Sequence, residues 1–213
     1  GYRMELVACE PMIEEPVALA WDGNGRMYVA EMRTYMQDID GRDQFRPISR
    51  VVRMEDTDGD GRMDKHTVFV DKLVLPRMIL PLEKEVIIRE TNTLDLWAYT
   101  DHDGDGVADE KKLWHKGGGR GGNLEHQPSG LLWNIDNWIY TTYSNHRYRF
   151  TRGKVERHRL PAGSGQWGLT HDDVGKLYYS TAGGEQPAMD FQQPMIYGRI
   201  RMGGELAPGF REV

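Results

Sequence analysis

Val52-Arg-Met-Glu-Asp-Thr-Asp-Gly-Asp-Gly-Arg-Met-Asp64 and Trp97-Ala-Tyr-Thr-Asp-His-Asp-Gly-Asp-Gly-Val-Ala-Asp109 are two copies of one pattern, and they decide the fold. Each Asp shared by the two copies recurs after 45 residues, and the same offset carries Phe69 onto Trp114. Each copy reads as a strand, an Asp-rich turn and a second strand. That repeat length fits a β-propeller, in which a blade of about 40–50 residues is a four-stranded antiparallel sheet.

A second signature runs out of phase with the first. Leu19-Ala-Trp-Asp-Gly-Asn-Gly-Arg-Met-Tyr28, Leu132-Trp-Asn-Ile-Asp-Asn-Trp-Ile-Tyr140 and Leu169-Thr-His-Asp-Asp-Val-Gly-Lys-Leu-Tyr178 share one plan, and residues 79–88 hold a degenerate copy. An apolar pair leads into an Asp/Asn/Gly turn, and an aromatic-bearing strand follows, which is hairpin chemistry. Starts near 19, 79, 131 and 169 imply about four blades, and Met195-Ile-Tyr-Gly-Arg-Ile-Arg201 reads as the beginning of another. No amphipathic helix of three turns is visible; residues 36–47 and 116–123 read as loops. The expectation is an all-β β-propeller domain over residues 1–213, or the N-terminal portion of one, within a six-bladed or larger propeller. An open arc leaves strand edges to cover, so other protein chains completing the propeller are expected partners.

Composition agrees. Gly (25) and Pro (10) supply turns, while 38% hydrophobic and 28% charged residues suit a packed, soluble core. Net charge −6 argues against nucleic acid, which needs a basic surface. A single cysteine, Cys9, excludes an intrachain disulfide, a CxxCH haem site and a Cys-built zinc site. No run of about 18 apolar residues is present, so no membrane span is expected. The opening Gly-Tyr-Arg-Met lacks an initiator Met and a signal-like apolar run, and reads as a processed or trimmed end.

In the first Asp-rich loop, Asp56, Asp58 and Asp60 occupy positions 1, 3 and 5, Gly61 permits the turn, Arg62 offers its carbonyl and Asp64 closes the set. Asp101, Asp103, Asp105, the Val107 carbonyl and Asp109 repeat the arrangement. Hard oxygen ligands in a flexible loop suit Ca²⁺ better than Mg²⁺. Asp-Gly also favours plain tight turns, but four carboxylates within nine residues repel one another without a cation. Position 12 is Thr67 or Lys112, not the bidentate Glu of an EF-hand, so these are hairpin loops with an EF-hand-like first half. Two structural Ca²⁺ sites are expected. Periplasmic or secreted localisation follows, because extracellular calcium is abundant enough to fill weak sites.

The stretch Asn123-Leu-Glu-His126-Gln-Pro-Ser-Gly130-Leu-Leu-Trp133-Asn-Ile-Asp136-Asn-Trp-Ile-Tyr140 resembles the soluble quinoprotein glucose and sorbosone dehydrogenase superfamily, as does Glu15-Pro-Val-Ala-Leu-Ala-Trp-Asp-Gly-Asn-Gly-Arg-Met-Tyr-Val-Ala-Glu31. Over most of residues 1–185 the chain looks like the N-terminal propeller of large membrane-bound-dehydrogenase-type proteins of planctomycetes and verrucomicrobia. The resemblance implies pyrroloquinoline quinone over a central channel and a sugar substrate. It matches His126 to the base that removes a hydroxyl proton as hydride passes to the quinone. An imidazole titrates near working pH, and Glu125 or a backbone carbonyl could fix its tautomer.

The family clamps its quinone with Arg and Lys, whereas the matching Gly163-Ser-Gly-Gln166-Trp-Gly-Leu169 has neither. Arg120, Arg147 or Arg149 is the candidate replacement, and Gln166 of the matching stretch is a further cofactor-binding candidate. His146 and Arg147 are read as channel-facing or surface, His171 as a turn residue, and the six tryptophans mainly as blade packing. An alternative stays open: a non-catalytic, calcium-stabilised propeller that binds carbohydrate or protein partners.

Overall fold

The computed structural model describes residues 3–160, 165–166, 168–179, 196–197 and 200–201. Trp167 and Gly163-Ser164 of the clamp-matching stretch lie outside the described residues. Runs of Val, Ile, Leu and Tyr broken by Gly, Asp and Pro form strands, and no helix occurs among the described residues. β1 (Pro16–Trp21), β2 (Met27–Glu31), β3 (Ser49–Glu55) and β4 (Lys65–Leu73) make one antiparallel sheet in chain order. β5 (Pro76–Pro81), β6 (Val86–Glu90), β7 (Leu96–Thr100) and β8 (Glu110–His115) make a second. β9 (Leu132–Trp133), β10 (Ile139–Tyr140), β11 (His146–Thr151) and β12 (Lys154–Arg159) make a third. Two-stranded pairs follow: β13 (Leu169–His171) with β14 (Leu177–Tyr179), and β15 (Ile196–Tyr197) with β16 (Ile200–Arg201). This is the blade plan of a β-propeller.

The chain forms two compact units, Gly1–Gly121 and Gly122–Val213. In the first, Tyr28, Val51, Phe69, Ile79, Ile88 and Tyr99 bury one core drawn from both sheets. Phe69 meets Tyr28 edge-on, at 5.2 Å and 86° between rings, a favoured aromatic geometry. Each such side chain contributes about 1.5–3 kcal/mol by leaving water, so the Phe69 and Trp114 positions of the repeat are anchors. Both are buried. Trp21 and Trp133 are about half exposed instead, 48% and 53%. Trp21 shares the exposed face of β1 with Val17 and Leu19, and Trp133 is the exposed member of the two-residue β9.

The hairpins match their sequence copies. Asp22 accepts the N–H of Asn24 and Arg26, and Asp172 accepts those of Val174 and Lys176. Gly25, Asn137 and Gly175 take the positive φ each turn requires (80°, 64° and 80°). The two signatures run out of phase for a visible reason. Pro16 and Pro76 open equivalent strands with the same bulge, yet the connection before β3 occupies residues 32–48 and that before β7 only 91–95. The long first connection shifts the inner strands against the outer ones.

One further device recurs at the entry to each blade. The Met32, Thr91 and Thr142 N–H groups donate to the carbonyls of Glu15, Leu75 and Ser129 at 3.2, 3.0 and 2.8 Å. Glu31 and Glu90 accept from the Glu14 and Val74 N–H groups, tying the incoming chain to the end of the second strand.

Candidate functional site

Both Asp-rich loops join the third and fourth strands of their blades, so they lie at the sheet end shared with the first hairpin turn. Asp56, Asp58 and Asp64 bring carboxylate oxygens within 4.8 Å of one another, and Asp101, Asp103 and Asp109 do the same. Oxygens bound to one Ca²⁺ at about 2.3–2.6 Å can be no more than about 5 Å apart, so each trio fits a single calcium ion. Asp60 and Asp105 fall outside the trios; each caps its own turn, accepting from the Arg62 and Val107 N–H groups.

Backbone donors fix the remaining geometry. Asp56 accepts from Gly59 and Gly61, and Asp101 from Gly104 and Gly106, at matching distances of 2.7 and 2.9 Å. The Gly61, Gly59 and Asp60 N–H groups hold the Asp56 carboxyl below the ordinary carboxylate range.

His126 belongs to the opposite end of its blade, just before β9. Its backbone N–H donates to Asn123 Oδ1 at 2.7 Å, which leaves Asn123 Nδ2 facing His126 Nδ1 at 3.4 Å. Nδ1 is therefore the acceptor, and the neutral ring carries its proton on Nε2. The ring stacks on Tyr143, in the β10–β11 connection, with centroids 5.9 Å apart and 21° between planes. Tyr143 is placed in turn by its N–H donating to the Gly165 carbonyl, and buried Thr142 beside it donates Oγ1 to the Gln166 carbonyl at 2.7 Å. His126 and the Gln166 segment thus meet through Thr142 and Tyr143. Asn123 is the group that faces Nδ1; the sequence offers Glu125 or a backbone carbonyl for fixing the tautomer.

Arg147 turns the other way. Its Nη1 donates to the Tyr140 hydroxyl at 2.9 Å and lies 3.6 Å from Asp136, and its guanidinium stacks 4.2 Å from the Trp138 ring centroid. Burial, with Asp136 beside it, pushes the Tyr140 phenol up to about 12. His146 sits partly buried at the start of β11, and His171 ends β13 with Nδ1 2.8 Å from the Asp172 carbonyl.

In the first unit, Arg120 stacks over Phe45 and acts electrostatically on buried Arg77. Burial lowers Arg77 to about 10, with Arg120 adding to the effect and Tyr35 opposing it. Arg77 still carries its charge at neutral pH, so two guanidiniums share this region. Sequence reasoning missed Arg77; the signal was an Arg inside the apolar run Leu75-Pro-Arg-Met-Ile-Leu-Pro81.

Four-stranded antiparallel blades of this plan define a β-propeller protein. The chain belongs to the family described as Domain of unknown function (DUF7133), whose model matches residues 1–203. None of the curated proteins matches it. Among solved structures it is similar to the calcium-binding protein regucalcin of Agrobacterium tumefaciens, at 14% identity and TM-score 0.52, over 80% of this chain and 54% of that one. It is similar to a gluconolactonase of Xanthomonas campestris, at 14% identity and TM-score 0.51, over 75% and 52%. It is also similar to a Carbohydrate-Active Enzymes Family AA12 protein of Trichoderma reesei, at 14% identity and TM-score 0.50, over 82% and 46%. At such identities the likeness shows the fold. The chain spans about half the length of these structures.

Proposed function

We propose that this chain is a calcium-stapled portion of an extracytoplasmic β-propeller enzyme that oxidises a sugar or related alcohol using a quinone such as pyrroloquinoline quinone. The remaining blades come from further chain or from partner chains. The observation that carries the reading is His126, whose ring lies flat on Tyr143 with Nε2 free of protein partners among the described residues. An imidazole so held can address a substrate hydroxyl. The sequence resemblance to sugar dehydrogenases supplies the reaction class, and the Asp trios supply the calcium.

Arg120 with Arg77 is the cationic pair whose chemistry suits a carboxylate-bearing quinone. A bound quinone would supply the two-electron acceptor. His126 in its present tautomer donates Nε2–H and so binds a hydroxyl oxygen. Accepting a proton at Nε2 requires the ring proton to move to Nδ1, which the Asn123 Nδ2–H opposes. That contact is long, and opposing it costs about 1 kcal/mol or less.

The test is reconstitution with pyrroloquinoline quinone and calcium, followed by dye reduction on a panel of sugars. Turnover that His126→Ala abolishes and Asn123→Asp raises is expected, because a carboxylate would accept Nδ1–H. No quinone spectrum and no turnover would refute the reading.

One observation favours a second reading, a non-catalytic module for carbohydrate or protein ligands. Arg147 is committed to Asp136 and Tyr140, and Gln166 meets Thr142 through its carbonyl. A defined glycan ligand on an array, unaffected by His126→Ala, would select that alternative.

A further inference from the structure

The pair β11–β12 carries Arg147, Arg149, Arg152, Lys154, Arg157 and Arg159 against one carboxylate, Glu156, in a chain of net charge −6. It closes tightly. Thr151 pairs with Lys154, and Arg152 and Gly153 between them have φ of 52° and 77°, the primed-turn geometry whose twist suits a hairpin. Two of the cations are engaged: Arg147 with Asp136, and Arg149 with Glu156 at 2.8 Å. Arg152, Lys154, Arg157 and Arg159 are exposed, and none forms an ion pair among the described residues. β12 is also the outermost strand of its sheet, which leaves one row of its backbone N–H and C=O groups without a strand partner among the described residues.

Charge on an outer strand is by itself a common defence against sheet-to-sheet joining. The other two outer strands show what that defence looks like here. On β4 and β8, Lys65 pairs with Glu55 at 2.9 Å, Lys111 with Glu90 at 3.6 Å and Lys112 with Glu110 at 2.9 Å. Those edges are charged but largely neutralised. On β12 the positive excess stands uncompensated, and a neighbour registers it: burial first, then Arg157 and Arg159, hold the His146 imidazole below its ordinary pKa.

We propose that the β12 edge docks an extended acidic segment of another protein, which adds to the sheet as a fifth strand. The register argues for a strand and against a polyanion lying flat on the surface. Arg157 pairs with Tyr148 and Arg159 with His146, placing both on one face, whereas Lys154 pairs with Thr151 and points to the other. A strand along the edge has the same two-residue period. Its alternate carboxylates reach Arg157 and Arg159 on one face and Lys154 on the other, while its backbone fills the open row. A polymer draped over one face would leave the opposite cation unused.

The test uses the whole chain and a fluorescent eight-residue peptide of alternating Glu and Thr, with binding read by anisotropy at low and high salt. Saturable binding is expected. It should weaken at least about tenfold in Arg157→Glu/Arg159→Glu, whose melting temperature should match wild type because both side chains are exposed. Methylating every second peptide nitrogen, on the face meant to pair with β12, should abolish binding. No saturable binding, or equal binding of the methylated peptide, would overturn the proposal. So would equally tight binding of a DNA duplex or dextran sulfate through the same arginines, which would mark a general polyanion surface.

Discussion

Loops 56–64 and 101–109 are near copies in sequence and in internal hydrogen bonding, yet they are held to the molecule by different means. In the second loop, Arg53 of β3 reaches across to Asp101, with Nη1 3.2 Å from Oδ2, while its Nη2 pairs with Glu55 at 3.0 Å. The Arg53 side chain is 3% exposed and lies against Gly106; a Cβ there would come within 2.5 Å of Nη2. The Ala108 N–H also donates to the Phe69 carbonyl of β4 at 2.9 Å. Among the described residues the first loop has no such cation. Its link is the Met63 N–H donating to the Val7 carbonyl at 2.8 Å. The repeat writes the loop, and the adjoining blade decides how it is anchored. Asp101 already has a guanidinium as counter-charge, so loop 56–64 should depend more on calcium and bind it more tightly.

The sharpest way to break this asymmetry is Arg53→Met. It leaves Asp101 without its partner, and losing one member of a buried pair costs about 3–5 kcal/mol. Asp101 is partly exposed, which lowers the expected loss of calcium-free stability to about 2–4 kcal/mol. Calcium should restore part of it by supplying the missing positive charge. A denaturant melt unchanged by the substitution would show that Arg53 does not anchor the loop.

Gly106→Ala against Gly61→Ala compares the loops position for position. Both glycines have left-handed φ, 96° and 90°, so alanine strains either backbone by about 1 kcal/mol or more. Only at Gly106 does the new methyl also meet a guanidinium; at Gly61 nothing lies within 4 Å. The Gly106 variant should therefore lose about 1–3 kcal/mol more in urea unfolding. Equal losses would mean the Arg53 contact carries no weight.

The smallest expected effect concerns pH. Backbone N–H groups depress the folded Asp56 carboxyl, so its contribution is present above the unfolded value, about 4, and is lost as pH falls through the lower folded value. Calcium-free melts on either side of that window should show a step that Asp56→Asn removes. An identical profile in the variant would argue against the Gly61 and Gly59 bonds to Asp56.

Much of the blade plan was legible because its signals are local. The 45-residue spacing of the Asp loops, and the turns at Asp22, Asn134 and Asp172, are written within single hairpins. What stayed hidden depends on packing across blades or on sign averaged over the chain. Arg53 and Asp101 are 48 residues apart and meet only when two sheets stack. The turn-capping by Asp60 and Asp105 of the backbone N–H two residues ahead, a habit they share with Asp58 and Asp103, is not written in the linear ligand pattern. Tyr143 offered no sequence reason to lie against His126. The basic hairpin vanished into a net charge of −6.

The central claim is that the Asp trios hold calcium and thereby staple the propeller. Calorimetric titration of Ca²⁺ into chelator-stripped wild type, Asp56→Asn/Asp58→Asn and Asp101→Asn/Asp103→Asn tests it most directly, with a melt of each at both extremes. Two sites are expected in wild type, with the tighter lost in the first variant, and a gain of about 2.7 kcal/mol at a hundredfold excess over Kd. No binding heat and a melt indifferent to chelator would contradict it.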